Sequence, residues 1–238
     1  MLYAIISDIH GNLEALDAVL AAIKADKIIC LGDIVGYGPN PKECLEKIKA
    51  LNIPTVAGNH EKALLGEVDT KWFNERAKLA IEWTSTQVDL AAIKDLPTVG
   101  EEAGFHYVHA SLRDHVNEYM MSISEALATF ELMTKPLCFI GHTHRPGYLA
   151  RKKDGFYESR SLHDGDELLA YDFDRLIINV GSVGQPRDRD PRAAYGIFDT
   201  QTRLFSLHRS SYDIQQVQEK MRAVNLPQKL IDRLATGS

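Results

Sequence analysis

The sequence predicts an α/β fold in which parallel strands come first and antiparallel hairpins follow. Short apolar runs alternate with helical patterns in the first third of the 238 residues, and Asp-Gly turn signals occur after Gly147. Hydrophobic residues make up 45% of the chain and charged residues 25%, which is typical of a folded globular protein. The sequence has no internal repeat, low-complexity tract or linker, so we expect a single domain over residues 1–238.

Three short apolar runs alternate with helical patterns at the start of the chain. They cover residues 2–6, 27–31 and 53–57, and each has the length of a buried strand. The resulting order β-α-β-α-β favours parallel strands joined by helical crossovers.

The second of these helices carries an N-terminal signal. Asn40 is a candidate cap, Pro41 takes the first helical position, and Glu43 follows three residues after the cap. We therefore expect a helix that begins at Pro41 and ends near Leu51.

A helical pattern covers residues 61–96 and leaves two interpretations open. The segment could form a cap over a site, or it could pack on the sheet through Trp72, Phe73 and Trp83. Packing on the sheet is the commoner arrangement for an amphipathic helix, and the sequence favours it.

The later part of the chain predicts shorter, more antiparallel elements. Asp154-Gly155 and Asp164-Gly165 are turn signals typical of hairpins. Two further buried strands are expected at residues 105–108 and 137–140. Strands of a second sheet are expected at residues 176–180, 194–198 and 204–207. The last 25 residues predict two short helices that are interrupted at Pro227.

Composition excludes several classes of protein. The net charge of −6 disfavours binding to duplex nucleic acid, although small phosphorylated substrates remain compatible with it. The three cysteines are far apart and odd in number, so we expect a reducing, cytoplasmic environment and no disulfide framework. No apolar run approaches the roughly 18 residues that a membrane span needs, so we expect no membrane association.

Side chains that can bind metal come directly after each of five separate strands. They are Asp8 and His10, then Asp33, then Asn59 with His60 and Glu61, then His109, and finally His142 with His144. Ligands of open α/β sheets bind outside the carboxyl ends of strands, so we expect the five turns to lie around one crevice.

The residue types favour divalent transition metals. Imidazole and carboxylate together suit Zn, Fe, Mn, Co or Ni, and the lack of cysteine at the five turns argues against a structural zinc site. Two ions are expected, because seven candidate ligands exceed the needs of one ion. The seven are Asp8, His10, Asp33, Asn59, His109, His142 and His144. Asp33 stands alone on its turn and is the natural bridge between the two ions.

These segments resemble the signature of the calcineurin-like metallophosphoesterase superfamily. In the family's order, the chain has Asp-x-His at 8–10, Gly-Asp-x-x-Gly at 32–36, Gly-Asn-His-Glu at 58–61, the lone His109 and Gly-His-x-His at 141–144. Residues 36–40 and 179–187 are also similar to a subgroup of small bacterial and archaeal phosphoesterases, and this likeness covers nearly the whole chain. The resemblance implies a four-layer α-β-β-α sandwich with two mixed β-sheets.

The resemblance also implies roles for individual residues. One ion would be held by Asp8, His10, Asp33 and His144, and the other by Asp33, Asn59, His109 and His142. His60 would be the acid that assists the leaving group, held by either Asp33 or Glu61. Ala110 departs from the family's pattern, in which a glycine commonly follows the lone histidine.

The expected reaction is hydrolysis of a small phosphodiester or nucleotide by a hydroxide that bridges two divalent ions, manganese being one candidate. Asp33 and His60 would be the catalytic residues, and Arg187 and Asn59 would contact the substrate. The stretch around Arg187 could equally be a solvated charged loop, because Asp188 and Asp190 alternate with its arginines.

Other functions are compatible with parts of this pattern. A phosphomonoesterase, a protein phosphatase and a dinucleoside polyphosphate hydrolase all act on the same reacting group. A metal-dependent amide hydrolase would be expected to carry a histidine pair after the first strand, where this chain has Asp8 and His10. A scaffold that keeps the fold without catalysis would be marked by lost ligands, and none of the seven is missing.

Overall fold

Two β-sheets stack face to face, with helices on both outer sides, in the computed structural model of the chain. It describes residues 1–102 and 104–238, apart from the side chain of Trp72. The apolar layer between the sheets contains Ile5, Phe105, Phe139 and Phe198, all fully buried. Stacking of this kind removes the apolar faces of both sheets from water, at about 25 cal/mol per Å² buried.

The first sheet contains the chain's first two strands and its last two. Its order is β2-β1-β10-β11-β8, with β1 parallel to β2 and antiparallel to β10. Its strands are β1 (Leu2–Ile6), β2 (Lys27–Cys30), β8 (Glu167–Leu169), β10 (Ala193–Asp199) and β11 (Leu204–Ser210).

The second sheet has the order β3-β4-β5-β9-β6-β7, and β5 is parallel to both of its neighbours. Its strands are β3 (Val99–Glu102), β4 (Phe105–Val108), β5 (Leu137–Ile140), β6 (Gly147–Lys152), β7 (Tyr157–Ser161) and β9 (Phe173–Asn179). Both sheets are mixed, and the implied α-β-β-α sandwich is confirmed.

Helices form the outer layers. They are α1 (Leu13–Ala22), α2 (Pro41–Ala50), α3 (Asn59–Leu64), α4 (Glu75–Ser85), α5 (Ile123–Leu132), α6 (Ile214–Ala223) and α7 (Gln228–Asp232). Leu16 of α1 and Cys44 of α2 pack with Cys30 outside the first sheet, whereas Phe130 of α5 packs with Cys138 outside the second. All three cysteines are buried and free. Within the described residues, no helix has the length and apolar character that would let it cross a membrane.

The start of α2 and its N-cap residue follow the sequence prediction. The helix begins at Pro41 and Asn40 takes the N-cap position, but the Asn40 side chain makes no capping hydrogen bond. In α3, Gly58 takes the N-cap position and Asn59 is the first helical residue.

The predicted third parallel strand at residues 53–57 is wrong. The segment lies beside β2, but only a single bridge between Cys30 and Thr55 forms. Pro54 has no N–H to donate to a ladder, which limits the pairing at this edge. Ala57 donates instead to the carbonyl of Pro97, outside the sheet.

The three late strands do not form one second sheet as predicted. β9 lies parallel to β5 in the second sheet, whereas β10 and β11 extend the first sheet beside β1. Asp154-Gly155 does turn the hairpin between β6 and β7. Asp164-Gly165 instead connects β7 and β8, which belong to different sheets.

Residues 61–96 are less helical than predicted. α3 ends at Leu64 and α4 begins at Glu75, with 3₁₀ turns at Thr70–Trp72 and Leu90–Ala92. Ala77 and Ala80 of α4 pack in one cluster with α6 and α7, and Phe73 and Trp83 pack against that cluster. The predicted role of the Trp72 side chain lies outside the described residues. The two helices after β11 are confirmed, and Pro227 separates them.

Candidate metal centre

The seven predicted ligands lie together where loops of both sheets meet. Three groups bring their donor atoms within 4.8 Å of one another: Asp8 with His10 and His144, His10 with Asp33 and His60, and Asp33 with His109 and His142. Asn59 joins the third group, since its Oδ1 lies 3.2 Å from His109 Nε2. We call Asp8, His10 and His144 the first half of the centre, and Asn59, His109 and His142 the second half.

Asp33 lies between the two halves. Its Oδ2 is 3.7 Å from His10 Nε2 and 3.4 Å from His109 Nε2. Its Oδ1 accepts a hydrogen bond of 2.9 Å from the backbone N–H of His60. One carboxylate oxygen therefore faces a histidine of each half, which is the position that a bridging ligand requires.

The four histidines of the two halves share one arrangement. Each ring has one nitrogen beside a backbone carbonyl and directs the other nitrogen into the centre. The contacts to carbonyls are His10 Nδ1 to Val35 (3.0 Å), His144 Nδ1 to Gln185 (2.6 Å), His109 Nδ1 to Leu31 (2.9 Å) and His142 Nε2 to Asn117 (3.2 Å). Because a carbonyl can only accept, each of these ring nitrogens carries the proton, and in a neutral ring the inner nitrogen presents a lone pair.

The inner nitrogens lie very close to one another. His10 Nε2 is 3.0 Å from His144 Nε2, and His109 Nε2 is 3.1 Å from His142 Nδ1. Two ring nitrogens at that distance need a proton or a metal ion between them, and bonds of about 2.0–2.1 Å to a shared ion would place ligands about this far apart. The donor set therefore fits a metal ion in each half.

A buried carboxylate oxygen supports this fit. Asp8 is fully buried, and its Oδ1 makes no hydrogen bond to any described residue. This oxygen lies 3.2 Å from His144 Nε2 and 3.8 Å from His10 Nε2. A buried anionic oxygen without a donor is costly, and a cation at this position would compensate it.

The backbone around the centre is strained. Asp8, His10, Asp33, His142 and His144 all have φ between 49° and 66°. This left-handed region costs a non-glycine residue about 1–3 kcal/mol. The neighbouring Gly11, Gly32 and Gly36 also have positive φ, so the unusual conformation is shared by ligands and glycines of these turns.

Two glycines are needed for close approach. A Cβ atom at Gly58 would clash with the carboxylate of Asp33, and one at Gly141 would clash with Ser7 Oγ and Asp8 Oδ2. Larger residues at these positions would displace the ligands.

Glu61 connects two of the ligand loops. Its carboxylate accepts the backbone N–H groups of Asp33 (2.9 Å), Ile34 (2.8 Å), Val35 (3.2 Å) and Gly58 (2.8 Å). Burial and the charge of Asp33 raise the pKa of Glu61 to about 7, against the effect of these backbone donors. Glu61 thus fixes the Asp33 turn against the start of α3 and does not contact the His60 ring.

His60 is buried beside the centre. Its Nε2 lies 4.0 Å from Asp33 Oδ2, so Asp33 rather than Glu61 is the carboxylate that faces it. Its ring packs edge-on against Tyr37 at 4.5 Å and His10 at 4.7 Å between centroids. Burial lowers the pKa of His60 to about 4, although Asp33 opposes this shift, so the ring is neutral at pH 7.

Charges in the centre are strongly coupled. Burial alone would raise the pKa of Asp33, but His109 and His60 hold it well below its usual range. Burial likewise opposes protonation of His109, yet Asp33 raises the pKa of His109 to about 9. Burial and the neighbouring His109 lower the pKa of His142 to about 3. A proton on His109 therefore competes with a metal ion for Nε2.

A cavity of about 560 Å³ opens onto the second half of the centre. Asn59 and His142 form part of its wall, with Tyr37, Phe73 and Tyr119 around them. The Tyr119 ring lies 4.1 Å from the His142 ring. A cavity of about 620 Å³ beside α2 contacts none of the seven ligands.

Arg187 alone among the arginines of its loop lies beside the centre. Its backbone N–H donates to the carbonyl of His144 (3.1 Å), and its guanidinium lies 5.8 Å from the centre of the Tyr37 ring. Arg192 pairs with Asp190 and Asp164 instead.

The segment 179–187 positions ligands through hydrogen bonds to their backbone. Ser182 Oγ donates to the carbonyl of Asp8 (2.8 Å), and Gly184 N–H donates to the same oxygen (2.9 Å). Asn179 holds the turn before His142 through the carbonyl of Gly141. Only the motif at 179–187 marked these residues in the sequence, and nothing in it distinguished supporting contacts from substrate contacts.

The backbone at position 110 does not require a glycine. Ala110 is buried, its N–H donates to the carbonyl of His115 (2.9 Å), and it is not among the residues with positive φ. The departure from the family's pattern is therefore accommodated.

Comparisons with known proteins identify the family of the chain. Residues 1–203 match the family described as the calcineurin-like phosphoesterase superfamily domain. The chain belongs to the calcineurin-like phosphoesterase superfamily. Membership implies phosphoester hydrolase activity, and the clusters of His and Asp are compatible with binding of divalent metal.

Individual relatives cover almost the entire chain. An uncharacterized protein of Methanocaldococcus jannaschii is 38% identical in an alignment that covers 98% of this chain and 97% of the relative. The crystal structure of a metallophosphoesterase from Sphaerobacter thermophilus is 41% identical, with a TM-score of 0.90 and full coverage of both chains. A hypothetical protein from Pyrococcus horikoshii shares the calcineurin-like phosphoesterase fold, with a TM-score of 0.80, 19% identity, and coverage of 100% of this chain and 98% of its own.

Proposed function

We propose that this chain hydrolyses a small phosphodiester or nucleotide with the help of two divalent ions. The observation that carries the proposal is the pairing of inner nitrogens in each half of the centre, with Asp33 between the halves. Two separate pairs of inner nitrogens, one in each half, favour two cation positions rather than one, and in the second half the ion would displace the proton of His109.

The residues that would hold the ions follow from these distances. Asp8, His10, Asp33 and His144 would hold one ion, and Asp33, Asn59, His109 and His142 the other. When bound, divalent ions supply Lewis acidity and lower the pKa of a coordinated water molecule to near neutral. Mn, Fe, Zn, Ni and Co all suit this mixture of imidazole, carboxylate and amide oxygen, and manganese is the first to test.

The residues of the chain have distinct tasks in the reaction. Oxygen from water becomes bonded to phosphorus, the ester P–O bond breaks, and the departing oxygen takes a proton. A neutral His60 keeps one ring N–H, and its Nε2 lies on the Asp33 side of the ring. His60 is placed to donate that hydrogen to a phosphoryl or departing oxygen, which is a contribution of typically 10²–10⁴-fold to general acid–base catalysis.

The cavity supports a diester or nucleotide as substrate. A diester carries a second organic group on the reacting phosphate, and the 560 Å³ cavity lies directly beside Asn59 and His142. Its size is within the range of small-molecule sites, and Phe73 and Tyr119 offer aromatic faces to a base or an aryl group.

The test combines metal content with substrate preference. The protein is stripped with chelator, reloaded with Mn or Ni, and assayed with bis(p-nitrophenyl) phosphate and with p-nitrophenyl phosphate. We expect two ions per chain by elemental analysis and a higher kcat/KM for the diester.

Three outcomes would change the proposal. Activity that survives the chelator would contradict a metal mechanism. A higher kcat/KM for the monoester would favour a phosphomonoesterase, and inactivity with every ion would favour a scaffold.

A further inference from the structure

Two arginines from distant parts of the sequence share one acceptor beside the centre. Arg187 donates to Gln185 Oε1 at 2.9 Å, and Arg233 donates to the same oxygen at 3.0 Å. Arg233 belongs to the 3₁₀ turn Arg233–Ala235, which follows α7. A neutral amide oxygen thus holds two guanidinium groups side by side.

No acidic side chain neutralises either arginine. Within the described residues, neither forms an ion pair with an Asp or Glu side chain, and Arg233 Nε also donates to the main-chain oxygen of Ser238, the final residue of the sequence. Arg187 Nε is buried and has no hydrogen-bond partner. By contrast, Arg209 in the same region pairs with Asp188 and Asp190.

The proximity of the two charges has an electrostatic cost. Burial, and then the charge of Arg187, lower the pKa of Arg233 to about 10. Two partly buried cations repel each other, and partly buried charges are normally paired. An anion between them would remove both penalties.

The pair lies next to the reaction site. The Arg187 guanidinium is 5.8 Å from the centre of the Tyr37 ring, and that ring contacts His10 at 4.6 Å and His60 at 4.5 Å. Tyr37 also lines the cavity. A group bound by the arginines would therefore lie one aromatic ring away from the metal centre.

We propose that Arg187 and Arg233, held together by Gln185, bind a second phosphate of the substrate. The substrate class would then be phosphoesters that carry another phosphate near the one that is hydrolysed. Guanidinium groups bind phosphate oxygens through paired hydrogen bonds, and two of them match the two negative charges of a phosphate monoester. This inference rests on the proposed hydrolase function.

The test uses three substrates with the same leaving group. They are thymidine 5′-(p-nitrophenyl phosphate), its 3′-phosphorylated derivative, and the thymidine 5′-diphosphate analogue esterified with p-nitrophenol on its terminal phosphate. The first has one phosphate, and the other two place a second phosphate at different distances. We expect at least one of these two to show a kcat/KM about tenfold above the first, chiefly through a lower KM.

Variants of Arg233 connect this preference to the subsite. Arg233→Met should reduce the preference to about that of a singly phosphorylated substrate, and Arg233→Lys should retain part of it. Arg222→Met is the control, because it removes a cation from α6 that makes no hydrogen bond to Gln185. Preference is a ratio measured on one preparation, so partial misfolding of a variant does not change it.

Two results would overturn the inference. One is that neither doubly phosphorylated substrate is preferred by the native enzyme. The other is that Arg233→Met lowers kcat/KM equally for all three, which would assign Arg233 to holding Gln185 and its loop. Absence of hydrolysis of all three would instead count against the proposed function.

Discussion

The two halves of the centre differ in their access to solvent. The first half is sealed: Asp8, His10 and His144 are 0–2% exposed. In the second half, Asn59 is 8% exposed and His142 is 4% exposed, and both line the cavity. Under the proposed function, a substrate would therefore reach the centre from the second half, and the first half would serve as a closed support.

The halves also differ in their backbone. All three residues of the first half have positive φ, whereas in the second half only His142 does. Asn59 begins α3 and His109 directly follows β4, so regular structure positions these two. The first half depends on strained turns that the surrounding structure must stabilise. Because this half is also sealed from solvent, an ion bound there is expected to be the slower to leave.

Removing the residue shared by the halves should have the largest effect. Asp33→Asn deletes a carboxylate that faces both His10 and His109, so we expect loss of both ions and a fall in kcat/KM above about a hundredfold. Metal content and diester hydrolysis measure this. Asp95→Asn, on the exposed surface, is the control. Retention of two ions at native affinity would show that Asp33 is not a bridge.

Single histidine variants should separate the halves. His142→Ala should leave one ion per chain, bound in the first half, because the three ligands there and the shared Asp33 are intact. Native protein should likewise lose one ion to a chelator faster than the other, as seen by timed elemental analysis. Loss of both ions at one rate would remove the distinction between a sealed and an open half.

His60→Ala should affect turnover without affecting metal content. The ring faces Asp33 at 4.0 Å and belongs to neither half, so we expect kcat to fall about 10²-fold or more while two ions remain. Steady-state kinetics on metal-loaded protein measures this. An equal loss of ions and turnover would reassign His60 as a ligand or a structural residue.

Glu61→Gln should weaken the connection between the Asp33 turn and α3. An amide cannot accept four N–H groups as the carboxylate does, so we expect a loss of about 2–3 kcal/mol in unfolding free energy. Metal affinity should fall about 10–100-fold as well. Urea denaturation and metal titration test this, with exposed Glu46→Gln as control. Native stability in the variant would contradict the role of Glu61.

Lowering the pH should weaken metal binding, and this is the smallest of the expected effects. Because the pKa of His109 is about 9, its Nε2 is protonated at neutral pH and a bound ion must displace that proton. Affinity should therefore rise with pH up to about 9, by at most about tenfold per pH unit and per proton. Calorimetry in two buffers of different ionisation enthalpy counts the protons released. No release at pH 7 would show that the proton lies elsewhere.

Much of the centre could be predicted from the sequence because its ligands are side chains at strand ends. The spacing of Asp8 with His10, and of His142 with His144, identifies them without any structure. Their supports could not be predicted in the same way. Val35, Leu31 and Asn117 act through backbone carbonyls, which every residue possesses.

Local sequence patterns could not predict the arrangement of the strands either. The pairing of β1 with β10 joins residues nearly 200 positions apart, and periodicity carries no information about such partners. Arg233 was missed for a related reason. A single arginine in a terminal helical segment has no local signal, and its proximity to Gln185 arises only from the packing of α6 and α7.

The buried cysteines make the two outer layers separately observable. Burial raises the pKa of Cys30, Cys44 and Cys138, so the native thiols resist alkylation and do not compete with the centre for soft metals. Cys30 lies under α1 and α2 and Cys44 is on the buried face of α2, whereas Cys138 lies under α5. Mass spectrometry after pulses of a thiol reagent would therefore show which face of the sandwich opens first when the chain unfolds.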